Sequence, residues 1–389
     1  MRIGVNTLFL IPREVGGSET ILCETLSEII QHFPEIKLHL FTNLENDEFL
    51  KSLFPSSERI RYTCLNFNAR NRFTRIFREQ CELPSIADKT DIDLLWSPGY
   101  TAPFQCQKPQ AVSVLDVQYK THPEDLNLLS RFATDFLVKG ASRRSGMVLT
   151  LSEFSKSEIM KYYGVSADRI RVTFCGVNPE FARAYSKEEQ NRILGEILPD
   201  IKTPYILCVA NSYPHKNVHV LAKAFSKLTN EIPHRLVIVG QARRGEPELE
   251  KMMSEIPKGR VVRLQHFYKP QLVPLYQGAD LFVLPSLYEG FGLPLAEAMM
   301  AKVPVVTTRM ASIPEVCGDT AVYFEAGNAA DLADKIKQAL SLNQQEKASR
   351  IERAKTRAGG LTWQNSTKKL VAAFKELIGD GPVGDRPNR

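Results

Sequence analysis

The chain has 389 residues, of which 43% are hydrophobic and 24% charged, with a formal net charge of +6. That length exceeds one ordinary core and suits two domains, and the balance excludes a disordered chain. The mild basic excess falls short of a nucleic-acid-binding footprint, so no nucleic-acid partner is expected.

Seven cysteines, at positions 23, 64, 81, 106, 175, 208 and 317, are scattered and form no CxxC pair. This argues against a disulfide framework or a zinc site and for a reducing, cytoplasmic setting. The start lacks the apolar core of a signal peptide, and no stretch reaches transmembrane length. Any membrane association would be peripheral, at the inner face.

In chain order, short apolar runs alternate with helical patterns, as in parallel α/β sheets. Residues 2–6 read as a strand, followed by a loop at Val15-Gly16-Gly17-Ser18 and a helix over 19–32. Further strands are expected at 37–41, 93–96, 111–115 and 147–151. A polar stretch over 177–203 reads as a linker, and a second strand series follows at 205–210, 235–239, 261–264, 280–284 and 303–307. Trp363, Leu370, Val371, Phe374 and Leu377 fall at helical spacing and predict a closing amphipathic helix. The expected domains are 1–180 and 181–362, with the closing helix over 363–380 packing back toward the first and a disordered tail over 381–389.

The most informative segment runs from 279 to 297. A buried strand ends at Pro285, and a helix begins near Pro294, where proline suits the first turn. Between them, Gly290 and Gly292 flank Phe291. Glycines let the backbone approach a ligand closely, and the unpaired N–H groups of a helix start suit a diphosphate. Glu289 precedes the loop and Glu297 lies about a turn into the helix, so two carboxylates can accept hydroxyl hydrogen bonds from two ends of a ligand.

Glu289 and Glu297 form an E-x7-E pair, and residues 285–298 resemble the signature of the family 4 retaining glycosyltransferases. The resemblance implies a GT-B fold, with two Rossmann-like domains whose parallel sheets face across a cleft. It assigns Glu289 to the transferred sugar, Gly290, Phe291, Gly292 and Leu293 to backbone contacts with sugar and phosphate, and Glu297 to the ribose. It also makes Lys216, after the strand at 205–210, the cation that stabilises the departing diphosphate. Many relatives carry an arginine five residues earlier, where this chain has Asn211, still counted as a donor-site position. Gly16 and Gly17 match the family's first loop.

Other positions are less decisive. Many relatives place a histidine before Asp116, where this chain has Leu115; Asp116 is expected in the cleft. His122, in a His-Pro-Glu element, is a second candidate near the reacting centre. His266, Phe267 and Tyr268 follow a strand and are candidates for contact with the nucleotide base. Ser152 is expected to cap a helix rather than bind ligand. Asp91-Ile92-Asp93 matches a metal-binding pattern of a different fold, but it abuts Leu94-Leu95-Trp96 and reads as a strand start, so no metal is expected. Arg70, Arg72, Arg75 and Arg78, interleaved with Phe73, Ile76 and Phe77, form either a solvated helix face or a basic amphipathic surface for anionic lipid or a phosphorylated acceptor.

The resulting expectation is a hexosyltransferase of polysaccharide or glycolipid synthesis that needs no cofactor. Its substrate is a nucleotide sugar, GDP-mannose first and a UDP- or dTDP-sugar otherwise, and its acceptor a glycan or glycolipid. Two alternatives are a nucleotide-sugar epimerase of the same fold and a non-catalytic nucleotide-sugar binder.

Overall fold

The computed structural model describes residues 1–125, 127–198, 203–265 and 269–379. The chain divides into two compact units. One contains residues 1–117, 128–175 and the chain from Trp363 onward; the other contains Gln118–Asn127 and Gly176–Thr362.

The first unit is built on seven parallel strands: β1 (Arg2–Asn6), β2 (Lys37–Thr42), β3 (Ile60–Cys64), β4 (Leu94–Ser97), β5 (Gln110–Ser113), β6 (Met147–Thr150) and β7 (Ile170–Val172). Their order across the sheet is β3-β2-β1-β4-β5-β6-β7, so the winding direction reverses between β1 and β4. Ile3, Val5, Leu38, Leu40, Leu94 and Trp96 are buried against Leu22, Leu26 and Ile29 of helix Gly17–His32 and against Leu370 and Phe374 of helix Trp363–Ile378. The expected closing helix therefore packs into this core, where Phe374 lies 5.7 Å from the Trp96 ring. Each fully buried side chain of this size contributes about 1.5–3 kcal/mol.

The second unit holds six parallel strands: β8 (Tyr205–Val209), β9 (Arg235–Val239), β10 (Val261–Leu264), β11 (Leu281–Leu284), β12 (Val305–Thr308) and β13 (Val322–Phe324). Their order is β10-β9-β8-β11-β12-β13, with the reversal between β8 and β11. Strands β8 and β11 are buried nearly throughout, which is why they read as unbroken apolar runs.

Three strands, β3, β7 and β13, escape the sequence reading. Each lies at a sheet edge and is short or only partly buried, so it lacks an apolar run. The stretch read as a linker is also structured. It carries a turn at Pro179–Ala182 and helix Lys187–Gly195. Phe181 and Leu194 are buried, and the Gln277 side-chain amide donates to the carbonyls of Phe181 and Arg183. Val177 and Leu198 are buried as well, so four apolar side chains anchor a stretch that its charged residues made look like a linker. The tail over 381–389 lies outside the described residues.

Candidate active site

In open parallel sheets, ligands bind beyond the carboxyl ends of the strands where the winding reverses. In the second unit those strands are β8 and β11. The loop after β8 carries Lys216 and the loop after β11 carries Glu289. Although 73 residues apart, the two side chains meet: Lys216 Nζ donates to Glu289 Oε1 at 2.8 Å. Glu289 is 7% exposed.

Both loops are fixed by their own backbone and neighbours. After β8 the chain forms a tight turn at Pro214–Lys216 and passes through Asn217, whose φ of 56° is left-handed. Asparagine tolerates that conformation better than most residues. The Asn217 side-chain amide donates to the Pro285 carbonyl, and the Leu287 N–H donates to the His215 carbonyl at 2.7 Å, lacing the two loops together.

On the β11 side, Ser286 Oγ donates to Glu289 Oε1 at 2.7 Å, and Ser312 Oγ donates to the carbonyls of Glu289 and Phe291. Ser286 and Ser312 are fully buried, and sequence reading missed both; a small hydroxyl residue in a loop carries no pattern of its own. Gly292 sits at φ 93°, and a Cβ there would lie 3.0 Å from Leu295 Cδ1. It leads directly into helix Leu293–Met300, whose start has no side-chain cap. Its first N–H groups are thus presented beside Glu289, in the manner of an anion site.

Glu297 lies on the same helix. Its Oε2 accepts a 2.9 Å hydrogen bond from Tyr276, a buried residue stacked on Phe282. Burial, with the Glu297 carboxylate beside it, pushes the Tyr276 hydroxyl well above the usual phenol range, so it keeps the proton it donates to Glu297. Tyr276 thereby orients the carboxylate, another contact that sequence alone does not reveal.

Asn211 lies in the same loop after β8 as Lys216. Its side-chain oxygen accepts from the Gln241 N–H at 2.8 Å, tying the β8 loop to the loop after β9. That second loop carries Arg243, whose N–H donates to Ser212 Oγ and whose guanidinium lies 5.8 Å from the Tyr213 ring. The approach is close because of Gly240, at φ 144°, where a Cβ would lie 2.2 Å from the Ala210 carbonyl oxygen.

His122 belongs to the second unit, although it precedes much of the first in sequence. Its ring lies 5.9 Å from His215 and 5.6 Å from Tyr288, while Gln118 Nε2 lies 2.8 Å from His215 Nδ1. His122 therefore flanks the two loops that hold Lys216 and Glu289. Gly16, Gly17 and Asp116 are carried by the first unit. Gly16 and Gly17 open helix Gly17–His32, with Gly16 at φ 59° and open space around both, and Asp116 follows β5. His266, Phe267 and Tyr268 lie outside the described residues.

Two further readings meet specific geometry. Ser152 caps helix Glu153–Tyr163, accepting from the Ser155 N–H at 3.0 Å. Asp91 pairs with Arg2, and Asp93 accepts from the Arg2 N–H, which places both at the start of β4 as strand-end residues.

Two parallel-sheet α/β domains of seven and six strands, with a glycine loop and paired glutamates at the reversal point of the second, fit the GT-B fold. Residues 15–181 match the glycosyltransferase family 4 model and residues 189–357 the glycosyl transferases group 1 model, together covering most of the chain. The chain belongs to the family 4 glycosyltransferases. It is 30% identical over 240 residues to O-antigen chain mannosyltransferase B of Escherichia coli, covering 59% of this chain and 61% of that one. It is also 30% identical over 216 residues to O-antigen chain mannosyltransferase RfbU of Salmonella typhimurium, covering 55% and 56%. The matches thus span less than two thirds of these relatives. Among solved structures it is similar to Anabaena Alr3699/HepE, crystallised with UDP and glucose. There the TM-score is 0.75 at 17% identity, covering 97% of this chain and all of that one, which bears on the fold.

Proposed function

We propose that this chain is a retaining hexosyltransferase that moves a sugar from a nucleoside diphosphate donor to a hydroxyl acceptor on a glycan or glycolipid. Mannose, carried on GDP, is the first choice. The observation that carries this reading is the Lys216–Glu289 pair at the strand reversal, set beside the start of helix Leu293–Met300. The names of the bacterial O-antigen mannosyltransferase relatives support the choice of sugar and the role in surface polysaccharide assembly.

In this reading the diphosphate rests on the N–H groups at 290–293. An ammonium has three N–H donors. Lys216 gives one to Glu289 and has others for a phosphate oxygen, stabilising charge as the nucleoside diphosphate departs. Arg243 supplies the second cation that Asn211 cannot. Glu289 accepts from the sugar hydroxyls, and Glu297, oriented by Tyr276, accepts from the ribose. The acceptor oxygen attacks on the face the diphosphate leaves, which retains the anomeric configuration. His122, against His215 and Tyr288, holds the 213–216 turn, and Asp116 belongs to the acceptor side. No cofactor or metal enters the scheme, and contact with a membrane would be peripheral.

A thermal-shift series with GDP, UDP and dTDP and their sugars identifies the donor, and NMR of the product gives the anomer. Stabilisation by a nucleoside diphosphate and a retained anomer are expected. An inverted anomer, or full transfer by Glu289→Ala, overturns the proposal. Turnover of the nucleotide sugar without acceptor would favour an epimerase instead.

A further inference from the structure

We propose that helices Arg72–Phe77 and Leu128–Arg144 of the first unit together form a docking surface for an anionic lipid bilayer. Six large apolar side chains on these two helices stand in solvent: Phe73, Phe77, Leu128, Leu129, Phe132 and Phe136, with Phe73 at 83% and Leu129 at 77% exposure. On the longer helix the exposed positions 128, 129, 132 and 136 fall within about 100° of arc, one face of the helix. Phe73 and Phe77, four apart, share a face of the shorter one.

The two helices are joined. The Arg72 guanidinium donates to Thr134 Oγ1 at 2.5 Å and to the Ser130 carbonyl at 3.5 Å. Phe136 also packs edge-on against Phe104 at 5.8 Å, over which Arg144 lies at 4.7 Å. The surface is therefore a formed platform rather than two separate elements. Soluble proteins seldom leave a contiguous apolar patch uncovered, and such a patch marks a binding surface.

Charge selects the occupant. Residues 70–78 hold Arg70, Arg72, Arg75 and Arg78 and no acid; residues 128–144 hold Arg131, Lys139, Arg143 and Arg144 against the single acid Asp135. Arg70 and Arg78 are paired with Glu14 and Glu82, which leaves the excess on the longer helix together with Arg72 and Arg75. A second copy meeting this face across a two-fold axis would set like charges against each other. An anionic bilayer accepts both features: Phe and Leu enter the acyl boundary while arginine and lysine remain among the headgroups. The contact lies on the membrane rather than through it, because among the described residues no helix is long and apolar enough to cross.

This inference stands apart from the transfer reaction, since neither donor nor acceptor enters its test. Flotation is measured with vesicles of phosphatidylcholine alone and with one third phosphatidylglycerol. The expected result is binding to the anionic vesicles that weakens with salt, and a loss of about tenfold or more in a Phe73→Ser, Phe77→Ser, Leu129→Ser, Phe132→Ser variant. Arg131→Glu with Lys139→Glu should remove the preference for anionic lipid. An unchanged melting temperature shows that the variants are folded; should the fourfold variant fail to fold, the charge variant decides. The proposal is overturned if the wild-type chain binds neither vesicle, or binds both equally, or if the folded variants bind as it does. It is also overturned if light scattering shows a dimer that the serine changes dissolve while vesicle binding persists.

Discussion

Replacing Lys216 by methionine separates what the lysine does for the fold from what it does for the reaction. Lys216 Nζ lies 2.8 Å from a Glu289 oxygen, and the two side chains are 22% and 8% exposed. At an effective dielectric of about 20, two unit charges at that distance attract by roughly 6 kcal/mol. Loss of hydration by both ions takes back several kcal/mol, leaving a pair of modest net worth. Removing one partner is different, because Glu289 then keeps a buried charge without its cation, with the Ser286 hydroxyl donating to the same oxygen. Lys216→Met should cost about 2 kcal/mol of stability, or about 4–8 °C in melting temperature for a unit of this size. The reaction should suffer more: losing the group that stabilises a departing diphosphate lowers kcat by about 10²–10³.

The double variant Lys216→Met, Glu289→Gln distinguishes the two effects. With neither charge left alone in the interior, stability should return to near that of the wild-type chain while kcat stays low. Calorimetry and steady-state turnover of the nucleotide sugar provide the two measurements. A Lys216→Met enzyme within twofold of wild-type kcat, or a double variant that regains activity with stability, refutes the reasoning and makes the pair purely structural.

Three further outcomes follow from other contacts. Gly292→Ala forces a side chain into φ 93° with Leu295 at 3.0 Å, and should cost about 1–2 kcal/mol and raise the donor KM, read by denaturant melts and kinetics. Arg243→Ala should raise the donor KM by about tenfold with little change in kcat or melting temperature, if Arg243 is the cation that replaces the arginine absent at Asn211. Glu79 is buried and accepts from the Asn6 amide and the Thr101 hydroxyl; burial, only partly offset by those bonds and by Arg75, raises its carboxyl above the usual range. A carboxyl raised in the fold contributes stability below its unfolded pKa and loses it as pH rises through the folded one. The melting temperature of Glu79→Gln minus that of the wild-type chain should therefore grow as pH increases above the ordinary carboxyl range.

The central strands were legible because burial on both faces leaves them as continuous apolar runs, as in Leu281–Leu284. Three of the four edge strands were not, since a strand such as β3 reads Ile-Arg-Tyr-Thr-Cys and is buried only at Ile60. The Glu289–Glu297 segment was legible for a local reason: strand end, glycines and helix start are contiguous, and each leaves a residue type behind. Long-range contacts leave no such trace. Nothing in the sequence ties Ser312 to the carbonyl of Glu289, or Tyr276 to Glu297, because a buried serine or tyrosine in these positions is ordinary composition. His122 shows the same limit in reverse. Its neighbours in sequence suggested the first domain, whereas ring contacts with His215 and Tyr288 place it in the second unit.

The contacts around Glu289 also bear on the retention of configuration proposed above. A protein nucleophile must approach the anomeric carbon, which requires a side chain with an oxygen and some freedom to spend on that approach. Glu289 has little: Oε1 accepts from both Lys216 and Ser286, its carbonyl accepts from Ser312, and its residue is 7% exposed. Side chain and backbone are held at once. Such restraint suits the role proposed for it, orienting a sugar through its hydroxyls beside Lys216. Glu297 is committed likewise to Tyr276. In the transfer proposed above, both glutamates of the pair serve positioning, and the departing diphosphate is the base assigned to the attacking hydroxyl on the same face.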